Sequence, residues 1–176
     1  MREYSDGANM GKMARALKSV KFRNGDWWFW ARDAPPSRIL QVCFNFAMCT
    51  ASMACPFAEI KNEMLNLTGM KVRKNAFIAM GVALDFFYPE RIEIGKNAII
   101  GYGCVISAHE MLPGELRIGN VKIGADSLIG TKSVVLPGVE IGDGAKISAM
   151  SLVNRDVPAN STWGGIPARN LLKKEK

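Results

Sequence analysis

From Ile123 onward an aliphatic side chain recurs at every sixth residue: Ile123, Ile129, Val135, Ile141, Ile147 and Val153. Four residues after each stands a small or β-branched side chain: Ser127, Ser133, Val139, Ala145, Ser151 and Val157. The same frame runs earlier through Ile94, Ile100 and Ile106, and more weakly through Val72, Ile78 and Leu84. Neither regular element explains this spacing, because an amphipathic helix repeats about every 3.6 residues and a half-buried strand about every two. Six residues accommodate one short strand and a turn, so three units close a triangular coil of about eighteen residues. Coils stacked at the strand-pairing distance of about 4.8 Å bury the aliphatic and the small residue four positions on. The pattern therefore predicts a mainly β chain, a parallel β-helix of hexapeptide repeats. The glycine that often follows the aliphatic, as at Gly95, Gly124 and Gly130, is expected to supply the backbone freedom of each corner. Such an array must be capped, and Pro158, Pro167 and the polar tail beyond Leu172 are the C-terminal candidates.

Before the array, residues 37–68 are rich in Ala, Met, Leu and Phe, with Pro35 and Pro36 ahead and Gly69 behind, which predicts helix. The expected organisation is an N-terminal basic, aromatic and helical region over residues 1–69, a β-helix over 70–172 and a basic tail over 173–176. Within the first region, the apolar run 39–54 stops at Pro56 and is interrupted by Asn45 and Thr50. It falls short of the roughly 20 residues a membrane span needs. Residues 1–24 lack the apolar stretch of a secretion signal, so a cytoplasmic protein is expected.

Charge and cysteines change the picture modestly. The 176 residues carry 23 Lys and Arg against 16 Asp and Glu, a formal net charge of +7. Basic residues crowd both ends, and those near the start precede Trp27, Trp28, Phe29 and Trp30. Such a cluster suits either a membrane interface or packing on a neighbouring subunit or the first coil. No nucleic-acid motif is present, and the aromatics are clustered instead of interleaved along a basic groove. Cys43, Cys49, Cys55 and Cys104 have neither disulfide-scaffold density nor zinc-site spacing.

Between Ile106 and Ile123 the frame is lost, the one break we recognise in the array. A solenoid accommodates such an insertion as a loop leaving one corner, often on the binding face. His109, the only histidine, stands at the root of that loop. Asp85 directly follows Leu84, and counting faces from Leu84 returns to the same face at Ile106, one coil higher. Asp85 and His109 thus share a face on adjacent coils. A carboxylate there could hold one imidazole nitrogen and leave the other free as a base; it could equally be a plain corner carboxylate. Glu110 is a weaker candidate to assist.

Several segments together resemble the hexapeptide-repeat acyltransferases, in particular the maltose, galactoside and other isoleucine-patch acetyltransferases. They are residues 94–101, residues 106–110 with the histidine, the run 123–147, and residues 156–160 with the ending Gly164-Gly165-Ile166-Pro167-Ala168-Arg169. The resemblance covers roughly residues 70–172. It implies a left-handed β-helix, an exception to the usual right-handed crossover. It also implies a homotrimer with active sites between subunits and acetyl-CoA as donor, with no metal. Carried over by position, His109 resembles the family's general base. Gly130-Thr131 and Ala149 match places where backbone meets the thioester and pantetheine arm, Asn154-Arg155 the pair near the nucleotide, and Arg169 and Lys173 basic positions near the phosphates. Two departures stand out: Asn154 replaces the commoner threonine, and residues 78–84 lack the acceptor-binding asparagine of the sugar acetyltransferases.

A zinc-dependent carbonic anhydrase of similar fold is excluded, since one histidine per chain cannot supply three ligands in a homotrimer. Cys104 occupies an inward position and reads as a core thiol instead of a nucleophile. Two functions are consistent with the chain: transfer of an acetyl group from acetyl-CoA to a hydroxyl or amine of a sugar or other small acceptor, and a non-catalytic trimeric scaffold, in solution or at a membrane surface.

Overall fold

A computed structural model of the chain describes residues 15–23 and 35–172. The aromatic cluster at residues 27–30 and Lys173 lie outside the described residues. The hexads form a left-handed parallel β-helix whose short strands stack on three faces. The first face holds β2 (Lys71–Val72), β5 (Ile92–Ile94), β10 (Val121–Ile123) and β13 (Glu140–Ile141). The second holds β3 (Phe77–Ile78), β6 (Ile99–Ile100), β11 (Leu128–Ile129), β14 (Lys146–Ile147) and β16 (Thr162–Gly164). The third holds β4 (Ala83–Leu84), β7 (Val105–Ile106), β12 (Val134–Val135) and β15 (Leu152–Val153). All twelve aliphatics of the sequence frame are buried, each worth about 2 kcal/mol of apolar transfer. Ser127, Ser133 and Ser151 are buried too, and their hydroxyls donate to the carbonyls of Gly124, Ser148 and Ser148. A small polar side chain is therefore satisfied inside the coil.

The glycine after the aliphatic has a different role from the one expected. Gly130 and its equivalents do not adopt left-handed backbone. A methyl group on Gly130 would instead fall 2.4 Å from Ala149 N and 2.7 Å from Ile147 O, so the requirement is close approach of the next coil. Left-handed backbone occurs two residues further on, at Asn97, Asp126, Lys132 and Met150, with φ of 56°, 55°, 57° and 56°.

Both ends of the stack are closed. At the N-terminal end two helices, α1 (Pro36–Ala54) and α2 (Ala58–Asn66), replace the single helical stretch expected, because the chain breaks at Pro56. Three side chains of α2 meet backbone groups of the first coil. Lys61 Nζ donates to Ile78 O at 3.0 Å, Asn62 Nδ2 to Ala76 O at 2.8 Å, and Asn66 Nδ2 to Val72 O at 3.2 Å. A sheet edge that would otherwise offer itself to another chain is thereby occupied. At the C-terminal end Trp163 is buried over the core, and β17 (Arg169–Asn170) folds back on β16. The indole covers the last coil; Pro158 and Pro167 are exposed.

The array is broken twice, not once. Leu84 and Ile94 are ten residues apart, and the four extra residues form a turn ending in a 3-10 helix at Pro89–Arg91. The second insertion is not an irregular loop but a hairpin, β8 (His109–Leu112) and β9 (Glu115–Gly119). The N-terminal strand β1 (Leu17–Lys21) pairs antiparallel with β9, making a three-stranded sheet. Both insertions leave the same corner, between the third face and the first.

The outward residues of the strands differ by face. On the first face they alternate in charge, Lys71, Glu93, Lys122 and Glu140, with Lys122 Nζ 2.7 Å from Glu140 Oε1. On the second they run Phe77, Ile99 and Leu128 and then Lys146 and Thr162, and on the third Ala83, Val105, Val134 and Leu152. Met80, Tyr102 and Met150, all more than half exposed, stand at the corner between those two faces.

Candidate active site

Leu84 and Ile106 are partners on β4 and β7, so the residues that follow them leave the helix at one corner and meet. Asp85 Oδ2 lies 2.5 Å from His109 Nδ1 and accepts the backbone N–H groups of Ala108 and His109 at 2.8 and 3.0 Å. The other oxygen accepts Phe87 N and Tyr88 N at 3.0 and 3.2 Å. One carboxylate therefore ties both insertions together. Its side chain is 1% exposed. Burial pushes the Asp85 carboxyl up, but the His109 ring and the backbone donors outweigh it and hold the group below the ordinary carboxylate range. An ionised carboxylate only accepts, so Nδ1 is the donor in this contact, and in the neutral ring that tautomer leaves the lone pair on Nε2. Nε2 has no partner among the described residues, and the ring is 23% exposed.

The ring is held from the sides as well. Phe87 and Tyr88, from the first insertion, meet it edge-on at centroid distances of 5.4 and 5.6 Å. That insertion is fastened to α1: Arg38 Nη2 donates to Phe87 O at 2.5 Å, the Arg38 guanidinium lies 5.3 Å from the Tyr88 ring centre, and Asn45 Nδ2 donates to Phe86 O at 3.1 Å. On the hairpin side, Arg15 grips Glu110 through two contacts of 3.0 and 3.2 Å, and Arg117 approaches the same carboxylate at 3.6 Å. Glu110 is thus engaged in anchoring the N-terminal strand to the hairpin. None of Arg15, Arg38, Phe87 or Tyr88 stood out in the sequence; the ten-residue interval from Leu84 to Ile94 was the available signal for the last two.

Thr131 and Ala149 occupy exposed positions on successive coils at the corner between the second and third faces. Their N–H groups take no partner among the described residues. Gly130 lies against Ala149 as described. Asn154 has a buried Oδ1 without a partner among the described residues. Arg155 is half-buried, and exposed Arg169 donates to Ala168 O at 3.0 Å. Within one chain, His109 and the Thr131–Ala149 positions stand at different corners of the prism and are not brought together.

Two of the four thiols, Cys104 and Cys49, are buried in the core. Cys104 is buried and donates to Gly130 O at 3.1 Å, and burial pushes its pKa up. Cys49 is pushed up to about 11, by burial first and by the Asp85 charge second. A buried, protonated thiol is inert. No group of three or more metal-ligating side chains occurs among the described residues. None of their helices is long and apolar enough to cross a membrane.

The stacked hexads place the chain in the hexapeptide-repeat class of β-helix. Residues 120–155 match the family model described as bacterial transferase hexapeptide (six repeats). YvoF of Bacillus subtilis (strain 168), named as an acetyltransferase, is 44% identical over 138 residues, which cover 78% of this chain and 80% of YvoF. A protein of Staphylococcus aureus (strain MSSA476), likewise named as an acetyltransferase, is 43% identical over 157 residues, 88% of this chain and 95% of that one. Among solved structures, the hexapeptide-repeat acetyltransferase VCA0836 of Vibrio cholerae O1 biovar eltor, complexed with acetyl-CoA, superposes with a TM-score of 0.67. It is 22% identical, and the match covers 81% of this chain and 92% of that one. The maltose O-acetyltransferase of Clostridium difficile 630 superposes with a TM-score of 0.63 at 19% identity, covering 81% and 90%. The chain belongs to the hexapeptide-repeat acetyltransferases.

Proposed function

We propose that the protein transfers an acetyl group from acetyl-CoA to a hydroxyl or amine of a sugar or other small acceptor, with His109 as general base. The carrying observation is the ionised Asp85 carboxylate on Nδ1, which orients the ring and leaves Nε2 to take a proton. The acceptor heteroatom loses its proton to Nε2 as its bond to the acetyl carbon forms; the carbon–sulfur bond breaks, and the thiolate receives the proton from the imidazolium. Asp85 stabilises that imidazolium without itself changing protonation. Acetyl-CoA, as donor substrate, supplies the activated acetyl group. The free N–H groups of Thr131 and Ala149 fit its thioester and pantetheine arm, where a backbone donor can stabilise the developing oxyanion. Asn154, Arg155, Arg169 and Lys173 would meet its nucleotide end.

Because His109 and the Thr131–Ala149 corner are apart in one chain, a site using both requires a second chain. The outward column of the third face and the first three rungs of the second, which are apolar, supply a surface for it, since a contiguous exposed apolar patch marks an interface. A closed homotrimer with sites between subunits satisfies both observations. Thiol release from acetyl-CoA, measured over a panel of sugars, other alcohols and amines, tests the activity. Release above the hydrolytic background with at least one acceptor is expected; its absence with all classes would contradict the reading.

A further inference from the structure

Arg38 of α1 is a half-buried guanidinium that pairs with no carboxylate among the described residues. Both of its side-chain contacts go to the first insertion: Nη2 donates to Phe87 O at 2.5 Å, and the guanidinium lies 5.3 Å from the Tyr88 ring centre. A cation withdrawn from water is ordinarily matched by an opposite charge, because its desolvation is otherwise uncompensated. Here the compensation comes from a carbonyl and the face of an aromatic ring. The two residues that provide it are the ones whose rings flank His109 edge-on.

The direction of Nε2 depends on those two rings. Asp85 holds the imidazole at Nδ1 and accepts the His109 backbone N–H, and Ser107 Oγ donates to the His109 carbonyl. These contacts fix the backbone and one edge of the ring. Tilt about the line from Cβ to Nδ1 remains, and it carries Nε2 sideways while leaving the Asp85 contact nearly intact. Phe87 and Tyr88 stand beside the ring and limit that tilt. Their turn is held from within by Asp85, which accepts both of their N–H groups, and from outside by α1 through Arg38 and the buried Asn45. Asn45 fastens the carbonyl of Phe86; Arg38 reaches Phe87 and Tyr88 together.

We infer that Arg38 is a positioning residue for the reaction: by bonding Phe87 O and lying over Tyr88 it sets the tilt of the His109 ring, and so the direction in which Nε2 meets the acceptor. This rests on the reading of His109 as the base. A site built on the hexad array is thereby adjusted from α1, a helix outside that array. The rate depends steeply on such geometry, since a displacement of about 1 Å can cost about a hundredfold.

The chain's single histidine makes the test direct, because isotope labelling of histidine gives NMR signals from one imidazole. Full-length wild type, Arg38→Met and Arg38→Lys are compared. In the wild type the flanking rings displace the carbon-bound proton signals of His109 through their ring currents. In Arg38→Met those signals should move toward the values of free histidine, while the ring nitrogens still report a proton on Nδ1. Hydrolysis of acetyl-CoA, in which water is the acceptor, should slow by about tenfold or more in Arg38→Met, with acetyl-CoA affinity by calorimetry unchanged. Arg38→Lys keeps a cation for the Tyr88 ring and a donor for Phe87 O, so it should lie between the other two in both readings, and it carries the test should Arg38→Met not fold. Imidazole signals at their wild-type positions, or hydrolysis at the wild-type rate, would overturn the proposal. A lowered melting temperature with both readings unmoved would make Arg38 a fastening of α1 and nothing more. Failure of the base assignment reads differently: His109→Ala would hydrolyse acetyl-CoA at the wild-type rate, whereas the imidazole spectrum of Arg38→Met needs no activity and still decides whether Arg38 sets the ring.

Discussion

Asp85 and His109 are joined by a 2.5 Å contact between Oδ2 and Nδ1 across two adjacent coils, and the same carboxylate accepts four backbone N–H groups from the two insertions. The dyad is therefore also a staple. Whatever removes the carboxylate disturbs both the tautomer of the ring and the insertions that flank it.

Replacing Asp85 separates these roles. Asp85→Ala leaves buried donors unsatisfied and should cost about 3 kcal/mol, read from denaturant unfolding. Asp85→Asn keeps an acceptor for part of the network but no longer fixes the proton on Nδ1. Its turnover should fall by about a hundredfold or more with a much smaller loss of stability. Equal activity in Asp85→Asn would show that the carboxylate is only a corner residue.

The Asp85 carboxyl is depressed in the folded state, so its contribution to stability is complete above the ordinary range of an unfolded aspartate, about pH 4. It is lost as pH falls from there toward the folded value. Acid unfolding followed by circular dichroism should show a steeper decline below about pH 4 for the wild type than for Asp85→Asn. Parallel curves would contradict the depressed value.

The stacking of coils predicts a specific intolerance at Gly130. A methyl group there meets backbone at 2.4 Å, and backbone cannot swing aside. Gly130→Ala should destabilise by about 3 kcal/mol in thermal or denaturant unfolding. Gly103→Ala should cost less from crowding, since the nearest atom to its new methyl is the Lys132 side chain at 3.5 Å; its φ of +66° accounts for the penalty that remains.

Ile99 and Val105 point outward on the apolar columns. In the proposed trimer these columns meet a second chain, so Ile99→Glu and Val105→Glu should give monomers in light scattering with the β-helix spectrum intact, and turnover should fall with assembly. Trimers at wild-type strength in both variants would place the subunit contact elsewhere.

Much of this architecture was legible from the period of six. It placed twelve of the core aliphatics and the register of Leu84 on Ile106, and that register brings Asp85 to His109. What escaped the pattern has no period. The pairing of β1 with β9 joins residues such as Lys18 and Ile118, about a hundred positions apart, and nothing local announces it. Arg38 and Asn45 act on the carbonyls of Phe87 and Phe86, and a carbonyl is invisible in a list of side chains. Gly130 was read as a residue of special φ because the repeat reports only that the position is small. Close approach of a neighbouring coil leaves the same mark.

The nucleotide end of the donor offers an independent check. Arg155→Ala and Arg169→Ala should weaken binding of CoA more than of dephospho-CoA, because a guanidinium meeting the 3′-phosphate loses its partner only in the first case. Equal losses for both ligands would place these side chains away from that phosphate.

The most direct measurement is single-turnover acetyl transfer by His109→Ala alongside its affinity for acetyl-CoA. Removal of a positioned base should lower the rate by about a hundredfold to ten-thousandfold, with donor binding and oligomeric state unchanged. A variant that transfers acetyl groups at the wild-type rate would show that the imidazole held by Asp85 is not the group that takes the acceptor's proton.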